Sequence, residues 1–173
     1  EFDIVLSKDG EVMVFHDYNL NRLAGSNKLI KNCTANELRN MKLLETNAVI
    51  SSIDEVLHKI NGKVPILIEI KESFHPDIEE RLFEIIRSYE GEIAIQSFDK
   101  RSIIWFKNNA PFYKLGLICN DPKLTVKDVS KLGVDFLAFD INILDSDIVR
   151  KLKKLNFHIL TWTIDTLEKY KKS

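Results

Sequence analysis

Only two cysteines, Cys33 and Cys119, occur in 173 residues. Two thiols cannot build a disulfide framework, and they suit a reduced compartment. A cytoplasmic setting is therefore the expectation, although a removed upstream secretory leader is compatible with a chain whose first residues already look like a strand. Long hydrophobic runs are missing as well. None approaches the roughly 18 residues needed to span a bilayer, so no transmembrane segment is expected. Charge of one sign is equally scarce. Twenty-five Lys and Arg against 26 Asp and Glu leave a formal charge of −1, which gives no basis for a nucleic-acid partner. The lysine-rich stretches 150–154 and 169–172 read as solvated helix faces or ends. The six glycines form no G-x-G-x-x-G, which removes the usual dinucleotide-binding turn. G-x-S-x-G, paired C-x-x-C and H-E-x-x-H are absent too, so serine-hydrolase and zinc chemistry lack support. No linker or low-complexity segment divides the chain, and residues 1–173 read as one domain with enough apolar residues for a core.

What is present is alternation. Short apolar runs at 2–6, 64–70, 92–98, 114–119, 134–139 and 157–164 predict strands. Amphipathic stretches at 52–60, 76–89, 100–108, 126–132 and 145–155 predict helices, and Asp165 is placed to cap one more over 166–172. The segment 52–55 fits a capping box, Asp99 and Asp145 are further cap candidates, and Gly91, Gly133 and Asn156 sit where helices should stop. Repeated strand–helix alternation implies a parallel sheet with helices outside it. The runs 66–70 and 136–139 are nearly continuous in apolar residues, as doubly buried parallel strands should be. An open doubly wound sheet and a (β/α)8 barrel both satisfy this pattern. Without a Gly-rich turn the α/β barrel is favoured. Such barrels take about 250 residues, so an incomplete barrel of about six parallel strands is expected.

Several residues interrupt the apolar pattern. Glu1 and Asp3 are two apart, so on a strand their carboxylates share a face. Lys8-Asp9-Gly10 is turn chemistry, and the chain then returns through an apolar run to His16 and Asp17. A strand and its returning ribbon would bring two carboxylates and an imidazole together. Glu69 and Lys71 also share a face, near the C-terminal end of the 64–70 run, where barrel sites lie. A self-paired surface ion pair fits them, and so does a metal-binding carboxylate beside a phosphate-binding ammonium. An exposed strand end tolerates Glu1 and Asp3 equally well. Among the other histidines, His58 lies on a helix surface, His75 follows Lys71 in a loop, and His158 begins a strand at the wrong end for catalysis. His16 is the catalytic candidate.

Taken together, these segments resemble the glycerophosphodiester phosphodiesterase family. "EFDIVLSKDGEVMVFHD" is similar to that family's E-x-D segment, T-K-D-G turn and H-D motif, and "HDYNLNR" to its continuation to an arginine, Arg22. "SSIDEVLHKI" resembles the Pro-Thr-Leu-Glu-Glu-Val-Leu helix, with Ser51 where proline is usual. "ILIEIK", "AIQSFD" and "LTWTID" resemble the E-x-K, Q-S-F-D and late tryptophan strands. The order of motifs is preserved nearly end to end.

The resemblance implies a (β/α)8 barrel that hydrolyses a small glycerophosphodiester to an alcohol and glycerol 3-phosphate. It implies Glu1, Asp3 and Glu69 as ligands of a hard divalent ion, Mg²⁺ or Ca²⁺. Lys71 would hold a phosphate oxygen, His16 would be one of two acid/base histidines, and Phe98 and Trp162 would wall the glycerol side or serve simply as core. The family's other histidine lies in a His-Arg-Gly motif upstream of E-x-D, and no His-Arg-Gly occurs here. The chain is thus expected to begin at the second barrel strand, to lack the final strand–helix unit, and to turn over far more slowly than an upstream-extended chain. His75 is the first substitute to examine for the missing histidine. Two exposed sheet edges would follow, open to oligomerisation. A phospholipid-headgroup phosphodiesterase of the sphingomyelinase D type shares an E-x-D, but the E-x-K and Q-S-F-D strands favour the first family. A non-catalytic barrel used for binding is the remaining alternative.

Overall fold

Residues 1–71 and 77–172 are described by a computed structural model. They form two compact units, the first running to Ala94 and the second starting at Ile95. In the first unit, β1 (Phe2–Leu6) pairs in parallel with β3 (Ile66–Ile70), and the register sets Asp3 opposite Glu69. Ile4, Ile68 and Ile70 are fully buried, as their near-continuous apolar runs require. The other side of β1 is covered by β2 (Val12–Val14), which runs antiparallel to it with Ile4 opposite Val14 and Leu6 opposite Val12.

The turn between these two strands needs glycine. Gly10 has φ +81°, and a Cβ there would lie 2.9 Å from the Arg81 guanidinium carbon. The Ser7 hydroxyl donates to Asp9 Oδ1 at 2.7 Å, and the Ser7 N–H donates to the Glu11 carbonyl at 2.9 Å. Past the hairpin, α1 (Asn21–Ala24), a 3₁₀ turn (Ile30–Asn32) and α2 (Ala35–Arg39) bury Met13, Phe15, Leu20, Ile30 and Leu38 in a cluster of their own. These elements are too short for a periodic pattern to mark. β2 is covered in turn, because the Val14 N–H donates to the Ser51 carbonyl at 2.9 Å. Ser52 then caps α3 (Ile53–Ile60) in a reciprocal box with Glu55, as the sequence predicts. The expectation of an open edge beside β1 is corrected accordingly: the chain's own hairpin fills it.

α4 (Ile78–Ile86) lies inside the predicted 76–89 helix, while Pro76 and His75 fall outside the described residues. The helix stops well before Gly91, so that glycine is not its terminator. β4 (Ile93–Ser97) runs across the boundary between the units. In the second unit, β5 (Lys114–Cys119), β6 (Phe136–Asp140) and β7 (His158–Trp162) are parallel neighbours, alternating with α5 (Lys100–Asn109), α6 (Val126–Leu132) and α7 (Asp147–Lys154). Asp99 caps α5 and Gly133, at φ +66°, ends α6, both as predicted.

Two cap assignments change. A 3₁₀ turn at Ile141–Ile143 takes up the chain ahead of α7, so Ser146 rather than Asp145 occupies the N-cap. Before α8 (Leu167–Lys172), the Thr166 hydroxyl accepts from the Lys169 N–H at 3.2 Å, while Asp165 pairs with the Lys169 ammonium at 2.8 Å. The described residues thus hold seven strands, one at each of the six predicted positions and an antiparallel seventh, β2. No described helix is long and apolar enough to cross a membrane.

Gly116 on β5 lies directly opposite Phe136 on β6, and a Cβ at that position would come within 2.0 Å of the phenylalanine ring. Gly116→Ala should therefore destabilise the protein by about 1–3 kcal/mol in denaturant unfolding. Adding Phe136→Leu should return part of that loss, because the two sites are coupled. Independent, additive losses would show that the ring does not require the glycine.

Candidate active site

Register does most of the assembly in the first unit. Because Asp3 lies opposite Glu69, the start of β1 is level with the C-terminal end of β3, and Glu1 projects on the same side as Asp3. Glu1, Asp3 and Glu69 each offer an oxygen within 4.8 Å of the others. An ion held at roughly 2.0–2.6 Å by two oxygens leaves them no farther apart than about 4–5 Å, so the three can share one. Lys71 follows β3, and its ammonium reaches Asp3 Oδ1 at 2.8 Å and Glu69 Oε1 at 2.5 Å. The structure thus brings together all four of these predicted residues.

Among the described residues, the ion pairs to this cluster come from Lys71, and Glu69 is buried. Burial pushes the Glu69 carboxyl above its usual range against the pull of Lys71, and Asp3 and Glu1 push it further. Burial and then Asp3 likewise raise Glu1. For Lys71, burial works against the charge, but the hydrogen bonds to Asp3 and Glu69 outweigh it and its ammonium is held more firmly than usual. Carboxylate oxygen donors are the chemistry a hard divalent cation satisfies.

His16 arrives from the hairpin. The Phe15 N–H donates to the Asp3 carbonyl at 3.0 Å, which brings the residue after it back to the start of β1. The ring is exposed, and its Nδ1 lies 2.6 Å from Asp17 Oδ1. Asp17 is gripped from the other side by Arg22, whose Nε and Nη2 donate to its two oxygens at 2.8 Å each. The sequence shows His-Asp as adjacent letters, but gives no role to Asp17 or Arg22. The available signal was the polar pair at the end of an apolar run.

A family model described as the Glycerophosphoryl diester phosphodiesterase family matches residues 1–172. The chain belongs to this family of phosphoric diester hydrolases. A glycerophosphodiester phosphodiesterase from Caldanaerobacter subterraneus subsp. tengcongensis is 30% identical over 181 residues, covering 97% of this chain and 74% of that protein. The crystal structure of a glycerophosphodiester phosphodiesterase from Parabacteroides distasonis matches with a TM-score of 0.85 at 20% identity, over 99% of this chain and 73% of the other. A phosphodiesterase from Oleispira antarctica, solved with the product sn-glycerol-3-phosphate, matches with a TM-score of 0.85 at 17% identity, over 99% and 76%. At such identities the likeness shows the fold, which is α/β of the TIM-barrel type expected from the strand–helix alternation.

In the second unit of this family member, Phe98 and Trp162 meet edge to face with ring centroids 5.6 Å apart. The Trp162 indole N–H donates to the Ala138 carbonyl at 3.1 Å, which fixes the ring against β6. Phe98 remains 42% exposed, so it is not plain core. Gln96, on β4 two residues earlier, is buried, and its Oε1 has no hydrogen-bond partner among the described residues. In the sequence Gln96 stands inside the A-I-Q-S-F-D motif without a role of its own, and the signal that singles it out is an amide following three apolar residues.

The Arg22 guanidinium beside Asp17 holds the carboxyl well below the ordinary 3.8, at about 2, with a smaller contribution from His16. Since the folded value is depressed, this pairing stabilises the protein fully above the ordinary aspartate range. That stability is lost as pH falls from about 4 to about 2. A ¹³C carboxyl titration should place the Asp17 midpoint near the bottom of this window, and Arg22→Gln should move it up toward the ordinary value. A midpoint unchanged by Arg22→Gln would refute the assignment.

Proposed function

We propose that the protein hydrolyses glycerophosphodiesters to an alcohol and sn-glycerol 3-phosphate with Mg²⁺ or Ca²⁺ held by Glu1, Asp3 and Glu69. The observation that carries this reading is the convergence of those three carboxylates within 4.8 Å beside the Lys71 ammonium. Membership of a phosphodiesterase family and the product bound by the Oleispira antarctica enzyme support this substrate class. A bound divalent ion supplies charge neutralisation at the phosphodiester.

The remaining work falls to the chain's own residues. Lys71 places a point charge for a phosphate oxygen while tying Asp3 to Glu69. His16 delivers a proton to the departing alcohol oxygen as the P–O bond to it breaks, and the water consumed in hydrolysis supplies the oxygen that replaces it at phosphorus. Within the second unit, the edge-to-face pair of Phe98 and Trp162 offers an apolar surface of a kind that suits a carbon skeleton.

The test is release of glycerol 3-phosphate from glycerophosphocholine with Mg²⁺, Ca²⁺ or chelator, alongside calorimetric titration of each ion. Glu69→Gln should abolish metal-dependent turnover and weaken ion binding together. His16→Ala should cut turnover by about 10²–10⁴-fold while leaving ion binding nearly intact. Metal-dependent turnover that survives Glu69→Gln would overturn the ligand assignment.

A further inference from the structure

Three groups beside the carboxylate cluster form a chain of their own: imidazole, carboxylate, guanidinium. We infer that Asp17 and Arg22 are positioning residues that fix the tautomer of His16 and leave Nε2 as its proton-transfer nitrogen. This rests on the reading of His16 as the proton donor.

The argument begins with donor and acceptor chemistry. Asp17 accepts two hydrogen bonds from Arg22, at Oδ1 from Nη2 and at Oδ2 from Nε, so it is ionised and can only accept. The 2.6 Å contact between Asp17 Oδ1 and His16 Nδ1 therefore requires the hydrogen to sit on Nδ1. In the neutral ring the lone pair is then on Nε2, and in the charged ring the transferable proton is there. A proton lost to a leaving alkoxide departs from Nε2 and returns to Nε2, while Nδ1–H stays with Asp17 throughout. The carboxylate remains charged across any pH at which an imidazole titrates, because Arg22 holds it near 2.

The geometry is braced rather than incidental. On one side of the pair, the Phe15 N–H is bonded to the Asp3 carbonyl. On the other, the Tyr18 carbonyl accepts from the Ile30 N–H at 3.0 Å, and Leu20 is fully buried. Asn19 Oδ1 accepts from the Asn21 N–H at 3.0 Å, and the short helix that follows carries Arg22 back over Asp17. Asp17 is only 17% exposed, against 61% for both His16 and Arg22. The carboxylate is thus enclosed between its partners, while the imidazole keeps an open side. An ordinary surface ion pair has no need of a shielded carboxylate with a third group on it.

The experiment uses ¹⁵N-labelled protein and the ring nitrogens of His16, identified by their loss in His16→Ala. In the neutral ring the wild type should show the Nδ1–H tautomer. Asp17→Asn, which keeps size and shape but can donate from its amide, should shift the ring toward Nε2–H. In the assay for glycerol 3-phosphate, Asp17→Asn should lower kcat by at least about 10²-fold with little change in KM or ion binding. Arg22→Gln should lower kcat less, and Arg22→Lys should restore part of that loss. A wild-type ring in the Nε2–H form, or an Asp17→Asn variant with unchanged tautomer or unchanged kcat, would overturn the inference. The tautomer readout needs no turnover. A protein that hydrolyses no glycerophosphodiester but shows the predicted tautomers would refute the functional reading and leave the His16–Asp17 geometry standing.

Discussion

The Lys71 ammonium, lodged between Asp3 and Glu69, is the interaction on which the first unit's chemistry depends. Bringing carboxylates of adjacent parallel strands into contact is unfavourable, and burying Glu69 makes it more so. The lysine offsets part of that cost and gives the two acids a fixed spacing. The third, Glu1, has no ion pair of that kind with Lys71. A buried ion pair of this kind is weak evidence for stability, since apolar replacements often do as well.

The hairpin of this unit carries the chain back to His16. β1 pairs in parallel with β3 over its first residues and in antiparallel with β2 over its last. The Gly10 turn reverses the chain, and the Phe15–Asp3 hydrogen bond returns it to the carboxylates. The segment that follows buries its own apolar cluster, which anchors both ends of the His16–Asp17 step. A histidine on so exposed a stretch would otherwise sample many positions.

The sequence was most informative where a single local rule sufficed. β5 and α6 have the predicted bounds because an uninterrupted apolar run and a glycine terminator leave little latitude. The Ser52 box was legible from Ser and Glu at the right spacing. Glu69 and Lys71 stood out as charges in an apolar strand, although only the β1–β3 register brought Asp3 to them. The sequence failed where contacts compete. Asp145 looked like a cap until a 3₁₀ turn displaced the helix start, and Asp165 lost its cap to Thr166 while pairing with Lys169. The Asp17–Arg22 clamp and the Phe98–Trp162 contact rest on loop paths and long-range packing that no periodicity encodes.

The divided pairing of β1 also bears on the order in which the unit forms. Closing the β1–β2 hairpin joins residues that are near in sequence, and such closures are fast. Docking β1 onto β3 must close a far longer loop, at greater entropic cost. The hairpin that delivers His16 is therefore the early-forming piece, while the carboxylate cluster waits for β3. A chain caught between the two stages would hold its imidazole near a lone Glu1–Asp3 pair, with neither Glu69 nor Lys71 in place. On the proposed reading, ion binding would be acquired only with the last long-range pairing and would report on completed folding.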